Sequence, residues 1–274
     1  RHADRRKRQL QIFEEIIGST TTADVMDFLE GIPDNSTRLI LTSPPYNIGK
    51  TYGDGNADNM RHLYYLGWLY QIISESARIL KPGGTLIFQT GSTRDETDTL
   101  IPLDTLLIEP ARKAGLTFVS RVIWTIPHGL TPKRRLADRH ETLMIFSKGE
   151  QEVFNPDSAR TPQKQPTKRY FKGPKKGELS CHPLGAFPTN VWPISNVGHN
   201  NPEKTGHPAQ FPEELARRAI NLYSMPDDLV IDPFSGSGTT HVACIQTGRQ
   251  FCGADLFYDD IRQKRLENAS PMSS

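Results

Sequence analysis

A strand, a glycine-rich turn and a helix follow one another in residues 229–246, LVIDPFSGSGTTHVACIQ. Glycines at 236 and 238 let the backbone approach a ligand closely, and the free N–H groups of the following helix attract a carboxylate or phosphate. No lysine follows the second glycine as in a P-loop, and His241 occupies the last position of a GxGxxG pattern. The loop therefore favours a ligand with an amine and a carboxylate over a diphosphate, with a purely structural turn as the alternative.

Other apolar segments place this unit in a larger α/β pattern. Residues 61–80 have apolar positions three or four apart, which indicates a helix ended by the Pro-Gly-Gly sequence at 82–84. The remaining predicted helices are 103–114, 212–223 and 239–246, and the predicted strands are 38–42, 85–88, 116–124, 141–147, 229–231 and 250–254, with 116–124 and 141–147 paired antiparallel. Strands that alternate with helices imply a mostly parallel sheet covered on both faces.

The sequence TSPPYN at 42–47 follows the apolar run Leu39-Ile40-Leu41. Two prolines end a strand because neither ring has an N–H to donate to the ladder. The segment is either a plain turn or a rigid corner that holds carbonyl acceptors beside an aromatic ring.

Together, TSPPY and DPFSGSGTT resemble the motifs of the AdoMet-dependent DNA amino-methyltransferases, (D/N/S)PP(Y/F/W) and DPFxGSGTT. The resemblance covers residues 20–258, in which LKPGGTLIF and RHETLMIFSKG look like body strands. The catalytic motif precedes the cofactor motif with a basic insertion between them, which is similar to the β order of this family. The resemblance implies a Rossmann-like methyltransferase fold: α/β, with a mostly parallel seven-stranded sheet, an antiparallel hairpin and an irregular DNA-recognition insertion.

The resemblance also identifies residues that would bind the cofactor, S-adenosyl-L-methionine (AdoMet). An acid near the cofactor adenine corresponds to Asp24, and GHPAQFPEELARRAI at 206–220 looks like the segment that packs against the methionine end. Asp255 ends the next strand, about 20 residues beyond the glycine loop, where an acid can bind ribose hydroxyls. The predicted cofactor-binding residues are Asp24, His207, Gln210, Phe211, Asp232, Pro233, Phe234, Ser235, Gly236, Ser237, Gly238, Thr239, Thr240 and Asp255.

The activity implied is methyl transfer to the exocyclic N4 of cytosine or N6 of adenine, on a base flipped out of duplex DNA. Such an amine is a poor nucleophile because its lone pair is conjugated with the ring, so direct displacement needs acceptors that hold both N–H groups. The predicted catalytic residues are Ser43 and Pro44 as acceptors, Pro45 as a stiffening neighbour and Tyr46 as a ring face. Serine is expected to position the amine, and the proton to leave afterwards to water or a neighbouring group.

The motif also bears on the substrate. In this family, serine at the first motif position is found mainly in enzymes that methylate N4 of cytosine, and aspartate mainly in enzymes that methylate N6 of adenine. Ser43 therefore favours cytosine as the substrate, with adenine as the alternative. Methylation of RNA or of a protein amide, and a catalytically silent DNA-binding subunit, are more distant hypotheses. Carbon methylation needs a nucleophilic thiolate, usually in a Pro-Cys dipeptide, and the sequence contains none.

Residues 160–178 contain seven basic residues and one acidic residue, with Tyr170 and Phe171 among them. The net charge of +2 is too small to indicate a class of binding partner, so only this local excess of positive charge bears on the partner. The stretch is either a solvated loop or a surface that binds nucleic acid by releasing phosphate counterions, and PKRRLADRH at 132–140 allows the same two interpretations. The predicted DNA-binding residues are Lys133, Arg134, Arg135, Arg139, Lys164, Lys168, Arg169, Lys172, Lys175 and Lys176.

These assignments divide the chain into a catalytic half (18–149), a basic target-recognition insertion (150–205) and an AdoMet-binding half of the same domain (206–260), with flanks at 1–17 and 261–274. The basic start RHADRRKR is expected to be flexible, with phosphate binding as the alternative. Three cysteines without CxxC spacing indicate a reducing compartment and no metal, and no apolar run approaches the roughly 20 residues of a membrane helix. The expectation is a bacterial cytoplasmic, nucleoid-associated enzyme, monomeric or homodimeric, whose partner is double-stranded DNA and whose optional companion is a separately acting restriction endonuclease.

Overall fold

The computed structural model describes residues 2–53, 55, 58–129 and 131–272, whose strands form one large sheet and one small one. The helices are α1 (His2–Ile16), α2 (Val25–Gly31), α3 (His62–Ile79), α4 (Asp104–Lys113), α5 (Glu213–Tyr223), α6 (Thr239–Thr247) and α7 (Asp259–Asn268). The strands are β1 (Thr20–Thr22), β2 (Thr37–Thr42), β3 (Leu80–Thr90), β4 (Ser92–Arg94), β5 (Leu100–Pro102), β6 (Thr117–Thr125), β7 (His140–Ser147), β8 (Val191–Pro193), β9 (Leu229–Asp232) and β10 (Gln250–Asp255).

The strands of the large sheet lie in the order β1-β10-β9-β2-β3-β7-β6-β8. Neighbours from β1 to β3 are parallel, whereas β7 runs antiparallel to both β3 and β6. The predicted α/β fold, its mostly parallel sheet and its antiparallel hairpin are confirmed. The sheet has eight strands rather than the expected seven, because β8 from the insertion pairs with the edge of β6.

Helices cover both faces of the sheet, as strands without a polar face require. Ile40 of β2 packs in the layer that contains α2, α3 and α4, whereas Leu39 and Leu41 pack in the layer that contains α5 and α6. Successive strand residues alternate in this way because their side chains point to opposite faces. β2 pairs in parallel with β9, with Leu39 opposite Val230 and Ile40 opposite Ile231, so the two strands end at the same edge of the sheet.

The Pro-Gly-Gly sequence at 82–84 lies within β3 rather than before it. The Gly83 N–H donates to the Lys148 carbonyl at 2.7 Å, and the Lys148 N–H donates to the Gly84 carbonyl at 3.0 Å. These bonds carry the strand through the glycines, so β3 begins at Leu80 instead of Thr85, directly after α3.

Both segments assigned as flanks contribute helices to the fold. α1 occupies most of 1–17, and its Phe13 is buried in the core. Residues 2–8 of RHADRRKR lie in α1 ahead of Phe13, and the flexibility expected for them stays a prediction. α7 extends into 261–274, and its fully buried Arg262 donates to the Gly236 carbonyl at 3.2 Å.

Residues 150–205 are irregular, as predicted, apart from β8 and a 3₁₀ turn at Pro156–Ala159. The basic stretch forms a short hairpin, in which Arg169 pairs with Leu179 and the Tyr170 N–H donates to the Glu178 carbonyl at 2.9 Å. None of the described helices has the length and apolar content to cross a bilayer.

Candidate active site

A cavity of about 490 Å³ opens where β2, β9 and β10 end. Because β2 and β9 are parallel neighbours, the loops that follow them, 43–46 and 233–237, meet at one edge of the sheet. All predicted catalytic and cofactor-binding residues line this cavity except Asp232, Gly238 and Thr240. The two sequence motifs therefore form one site.

Asp232 lies behind the cavity wall and joins the two motifs. Its carboxylate accepts hydrogen bonds from the hydroxyls of Thr42 and Thr240, at 2.8 and 2.6 Å, and from the Phe234 N–H at 3.1 Å. Burial raises the pKa of Asp232 to about 6, although these hydrogen bonds oppose the rise. Asp232 and Thr240 bond to each other and do not line the cavity, and their binding of the cofactor stays a prediction.

The glycine loop has a geometry that requires glycine. Gly236 and Gly238 have φ angles of +49° and +80°, in the left-handed region. A Cβ atom on Gly236 would lie 2.9 Å from Nε2 of His207, so a side chain there would displace that ring. Gly238 is the N-cap residue of α6 and does not line the cavity.

Asp255 and Asp24 supply carboxylates to the cavity wall. The two oxygens of Asp255 accept from the N–H groups of Gly236 and Phe257, at 2.9 and 3.0 Å, and burial raises the pKa of this carboxyl. Asp24 caps α2 by accepting from the Met26 N–H at 2.8 Å. A carboxylate oxygen has more than one lone pair, so both acids can also accept from a ligand hydroxyl or amine.

The segment 206–211 brings His207, Gln210 and Phe211 into the wall. Burial lowers the pKa of His207 to about 4, so its ring is neutral at pH 7. The Gln210 side chain accepts from the Thr205 N–H at 3.1 Å and donates to the Glu203 carbonyl at 2.7 Å. These bonds hold the shape of the segment.

The cavity combines these polar groups with aromatic rings. Trp68 and Phe234 both line it and meet edge to face, with ring centroids 5.5 Å apart. Aromatic surface beside two carboxylates, above a loop in which Gly236 has no Cβ atom, fits AdoMet, which has an adenine, a ribose and a charged amino-acid end. Within the described ranges, no group of three or more His, Cys, Asp or Glu side chains is arranged to hold a metal ion.

The SPPY corner is fixed by neighbours on two sides. Tyr65 of α3 donates its hydroxyl proton to the Pro45 carbonyl at 2.7 Å. The Tyr46 hydroxyl donates to Oε2 of Glu141 at 2.9 Å, and the Ser43 Oγ atom lies 3.4 Å from the same hydroxyl. The ring of Tyr46 is therefore held in one orientation beside Ser43.

Sequence reasoning missed two polar residues on this side of the cavity, Gln89 of β3 and Glu141 of β7. The Gln89 Nε2 atom donates to Oε2 of Glu141 at 2.7 Å and to the Tyr46 hydroxyl at 3.3 Å. Burial raises the pKa of Glu141. The sequence does mark both positions, because each is a polar residue at one end of an apolar strand, TLIFQT or ETLMIF.

Three residues that follow the SPPY motif were also missed and line the cavity: Lys50, Tyr52 and Asp58.

Both basic segments connect to the rim of the cavity. The β6–β7 loop leaves at Ile126 and returns at Glu141, and the insertion passes through Asn196 and Val197; all four residues line the cavity. The predicted DNA-binding residues lie outside the wall and are exposed, apart from half-buried Arg139.

Three of these basic residues also have partners within their own segments, one of them being Arg139, which donates to the Asp138 carbonyl at 3.1 Å. Arg135 forms an ion pair with Asp138 at 2.6 Å. Arg169 donates to the Gly177 carbonyl at 2.6 Å, which stabilises the hairpin.

The sequence matches the N6/N4 DNA methylase family over residues 37–261, most of the described chain. The chain belongs to this family. N6/N4 DNA methylases use AdoMet, which confirms the expected cofactor class.

Individual relatives agree with this membership. The methylase is 41% identical to the type II methyltransferase M.BglII of Bacillus subtilis over 85% of this chain, and spans 64% of that relative's length. It is 31% identical to the DNA adenine methyltransferase YhdJ of Escherichia coli K12 over 92% of this chain and 83% of that one. The PvuII DNA methyltransferase (cytosine-N4-specific) has a similar structure, with a TM-score of 0.67, 22% identity, and coverage of 93% and 94% of the two chains. This likeness confirms the fold.

Proposed function

We propose that this methylase transfers the methyl group of AdoMet to the exocyclic N4 of a cytosine flipped out of duplex DNA, by direct displacement. The observation that carries the proposal is that the 43–46 corner and the 233–237 loop line one cavity at the ends of adjacent strands. Acceptors for an amine and a cradle for AdoMet thereby share one site, as an in-line displacement requires.

The residues of the cavity bind and orient the two reactants. When bound, AdoMet supplies an electrophilic methyl group: the nitrogen–carbon bond forms as the carbon–sulfur bond breaks, and the electron pair of that bond stays on sulfur. Asp255 would bind the ribose hydroxyls, Asp24 would hold the adenine end, and the segment 206–211 would pack against the methionine end. Ser43 Oγ and the Pro44 carbonyl accept the two N–H bonds of the amine, which turns its lone pair toward the methyl carbon.

The assignment to cytosine rests on Ser43. The SPP(Y/F) form of the motif goes mainly with N4-cytosine in this family, and the structurally similar PvuII enzyme is described as cytosine-N4-specific. Adenine N6 is the second candidate, because a relative at 31% identity is described as a DNA adenine methyltransferase. Either base presents an exocyclic amine to the same two acceptors, so product analysis must distinguish them.

We propose duplex DNA as the partner and 150–205 as the segment that reads its sequence. Support comes from the exposed basic residues of 132–140 and 160–178, on two segments that meet the cavity rim at Ile126 and Val197. Phosphates bound by these residues would place the duplex over the cavity, where a flipped base enters.

Product analysis with labelled AdoMet tests the proposal. The full chain is incubated with methyl-labelled AdoMet and unmethylated genomic DNA, which contains every short target sequence, and the DNA is digested to nucleosides. We expect the label in N4-methylcytosine. Label in N6-methyladenine would overturn the base assignment, and an absence of label together with calorimetric AdoMet binding would support a silent subunit instead.

A further inference from the structure

Three oxygen atoms on the base side of the cavity form a chain that leads away from Ser43. Its Oγ atom lies 3.4 Å from the hydroxyl oxygen of Tyr46, which lies 2.9 Å from Oε2 of Glu141. Gln89 donates to the same Glu141 oxygen at 2.7 Å, and all four residues line the cavity. The chain therefore connects the proposed acceptor of the target amine to a buried acid.

The directions of these hydrogen bonds follow from the number of protons. A carboxylate only accepts and a tyrosine hydroxyl has one proton, so Tyr46 commits that proton to Glu141. In its contact with Tyr46, Ser43 must then be the donor. The lone pairs of Ser43 are left to accept an N–H from the base, which is the orientation that methyl transfer needs.

We propose that Glu141 is the final acceptor of the proton that the target amine releases, and that Ser43 and Tyr46 conduct it there. As the nitrogen–carbon bond forms, the nitrogen develops a positive charge and, in the same transition state, begins to release its one extra proton. That proton moves to Ser43 Oγ as the Ser43 hydroxyl proton moves to Tyr46 and the Tyr46 proton moves to Glu141. The base, Ser43 and Tyr46 end neutral, and Glu141 becomes a neutral carboxylic acid. The inference rests on the proposed function and applies to cytosine or adenine.

The surroundings of Glu141 suit a proton acceptor. Burial raises its pKa, which makes this carboxylate more basic than an exposed one. Lys50 and His140 are the charged or titratable groups that oppose the rise, together with the hydrogen bonds from Gln89 and Tyr46. Burial also raises the pKa of Tyr46 well above its ordinary value, so Tyr46 relays a proton while it remains neutral.

Single-turnover methyl transfer, measured across pH, tests the inference with Glu141→Gln. This variant keeps the size of the side chain but cannot take up the proton. We expect its rate constant to fall by about 10²-fold or more, with unchanged AdoMet affinity. The wild-type rate should decrease as pH falls through the pKa of Glu141, and the variant should lack this dependence. Glu152→Gln is the matched control, because it makes the same change at a side chain that is 60% exposed and outside the cavity.

Tyr46→Phe provides an independent test, because it removes the middle oxygen and keeps the ring and the carboxylate. We expect a similar loss of rate and of pH dependence, and a double variant no slower than the slower single one. A wild-type rate in either variant, or a slow rate that keeps the wild-type pH dependence, would overturn the inference. If Glu141→Gln does not fold, Tyr46→Phe alone decides. Failure of the proposed function is distinguishable, since wild type itself would then transfer no label to DNA.

Discussion

A polar residue of the site can either contact a ligand or stabilise the fold. Whether its side chain lines the cavity or is buried behind it distinguishes the two roles. Ser43 lines the cavity with its hydroxyl, whereas Asp232 is 1% exposed and binds the hydroxyls of Thr42 and Thr240. Substitutions at the two positions should therefore impair different properties, turnover at Ser43 and stability at Asp232.

Ser43→Ala removes the hydroxyl that we propose as one acceptor of the target amine. We expect the rate of methyl transfer to fall by about 10²–10³-fold, the usual loss for one such group, with little change in AdoMet affinity by calorimetry. Ser158→Ala, at an exposed serine of the 3₁₀ turn, is the matched control. Equal rates for Ser43→Ala and wild type would remove Ser43 from the mechanism.

Asp232→Ala leaves two hydroxyls and one N–H without their acceptor. Each buried donor that loses its partner costs about 1–3 kcal/mol, so we expect the free energy of unfolding in urea to fall by at least about 2 kcal/mol. Asp232→Asn retains an acceptor oxygen and should lose less. If the two variants were equally stable, the carboxylate would not hold the loops.

The raised pKa of Asp232 also predicts a pH dependence of stability. Because the folded-state pKa of about 6 exceeds the ordinary value of 3.8, folding favours the protonated acid. The stabilisation is present below pH 3.8 and is lost as pH rises through about 6. We expect the unfolding free energy of wild type, relative to Asp232→Asn, to decrease over this range by about 3 kcal/mol. A difference that does not change with pH would contradict this account.

Residues such as Gln89 and Glu141 could not be assigned from the sequence. Their meeting depends on the register of β3 against β7, in which Gln89 pairs with Leu143, and on the direction of the Tyr46 hydroxyl. Both are tertiary features. The SPPY and glycine-loop residues could be predicted because each motif lies within one continuous segment that carries its own backbone constraint.

At the scale of elements, periodic apolar patterns were sufficient to predict the long helices and the buried strands. α3 was predicted at 61–80 and spans His62–Ile79. By contrast, β1, β4, β5 and β8 have three residues each, too few for a period to show. The buried residue of α7 is Arg262, so hydrophobic periodicity does not mark that helix, and α2 was missed although Asp24 is a typical N-cap.

The loop between β9 and α6 leads to a prediction at this scale. Gly236→Ala introduces a Cβ 2.9 Å from the His207 ring at a φ of +49°. We expect AdoMet affinity to fall, because either the loop or His207 must move. Gly67→Ala in α3 is the matched control: its Cβ meets no atom within 4 Å, and it should stabilise the helix by about 0.4–1 kcal/mol. Unchanged AdoMet affinity in Gly236→Ala would argue against this loop as the cofactor cradle.

At the scale of the whole molecule, the active site depends on strand order. The alternation of elements predicted a mostly parallel sheet, but the adjacency of β2 and β9 follows from pairing across the fold. Local patterns do not contain this information. The resemblance to a family predicted that the two motifs lie close together, because a methyltransferase must bring its catalytic motif and its cofactor motif into one site.

The exposed basic residues of the β6–β7 loop and of the hairpin predict a strong salt dependence of the proposed DNA binding. Lys168→Gln with Lys172→Gln removes two exposed charges and spares Arg169, whose bond to Gly177 supports the hairpin. We expect weaker binding and a slope of log affinity against log salt that is smaller by roughly one unit for each phosphate that is no longer bound. Lys113→Gln with Lys264→Gln, on α4 and α7, is the charge-matched control. An unchanged slope would indicate that the hairpin is a solvated loop that does not bind phosphates.

The hydrogen bonds of Asp232 have a consequence for the motion of the two loops. Through Thr42 this carboxylate is attached next to Ser43, and through Thr240 it is attached to the first turn of α6. We therefore expect the thermal fluctuations of the two loops to be correlated, because both loops are bonded to the same carboxylate. The distance between Ser43 and the first turn of α6 should accordingly vary less than it would if the two loops were anchored separately.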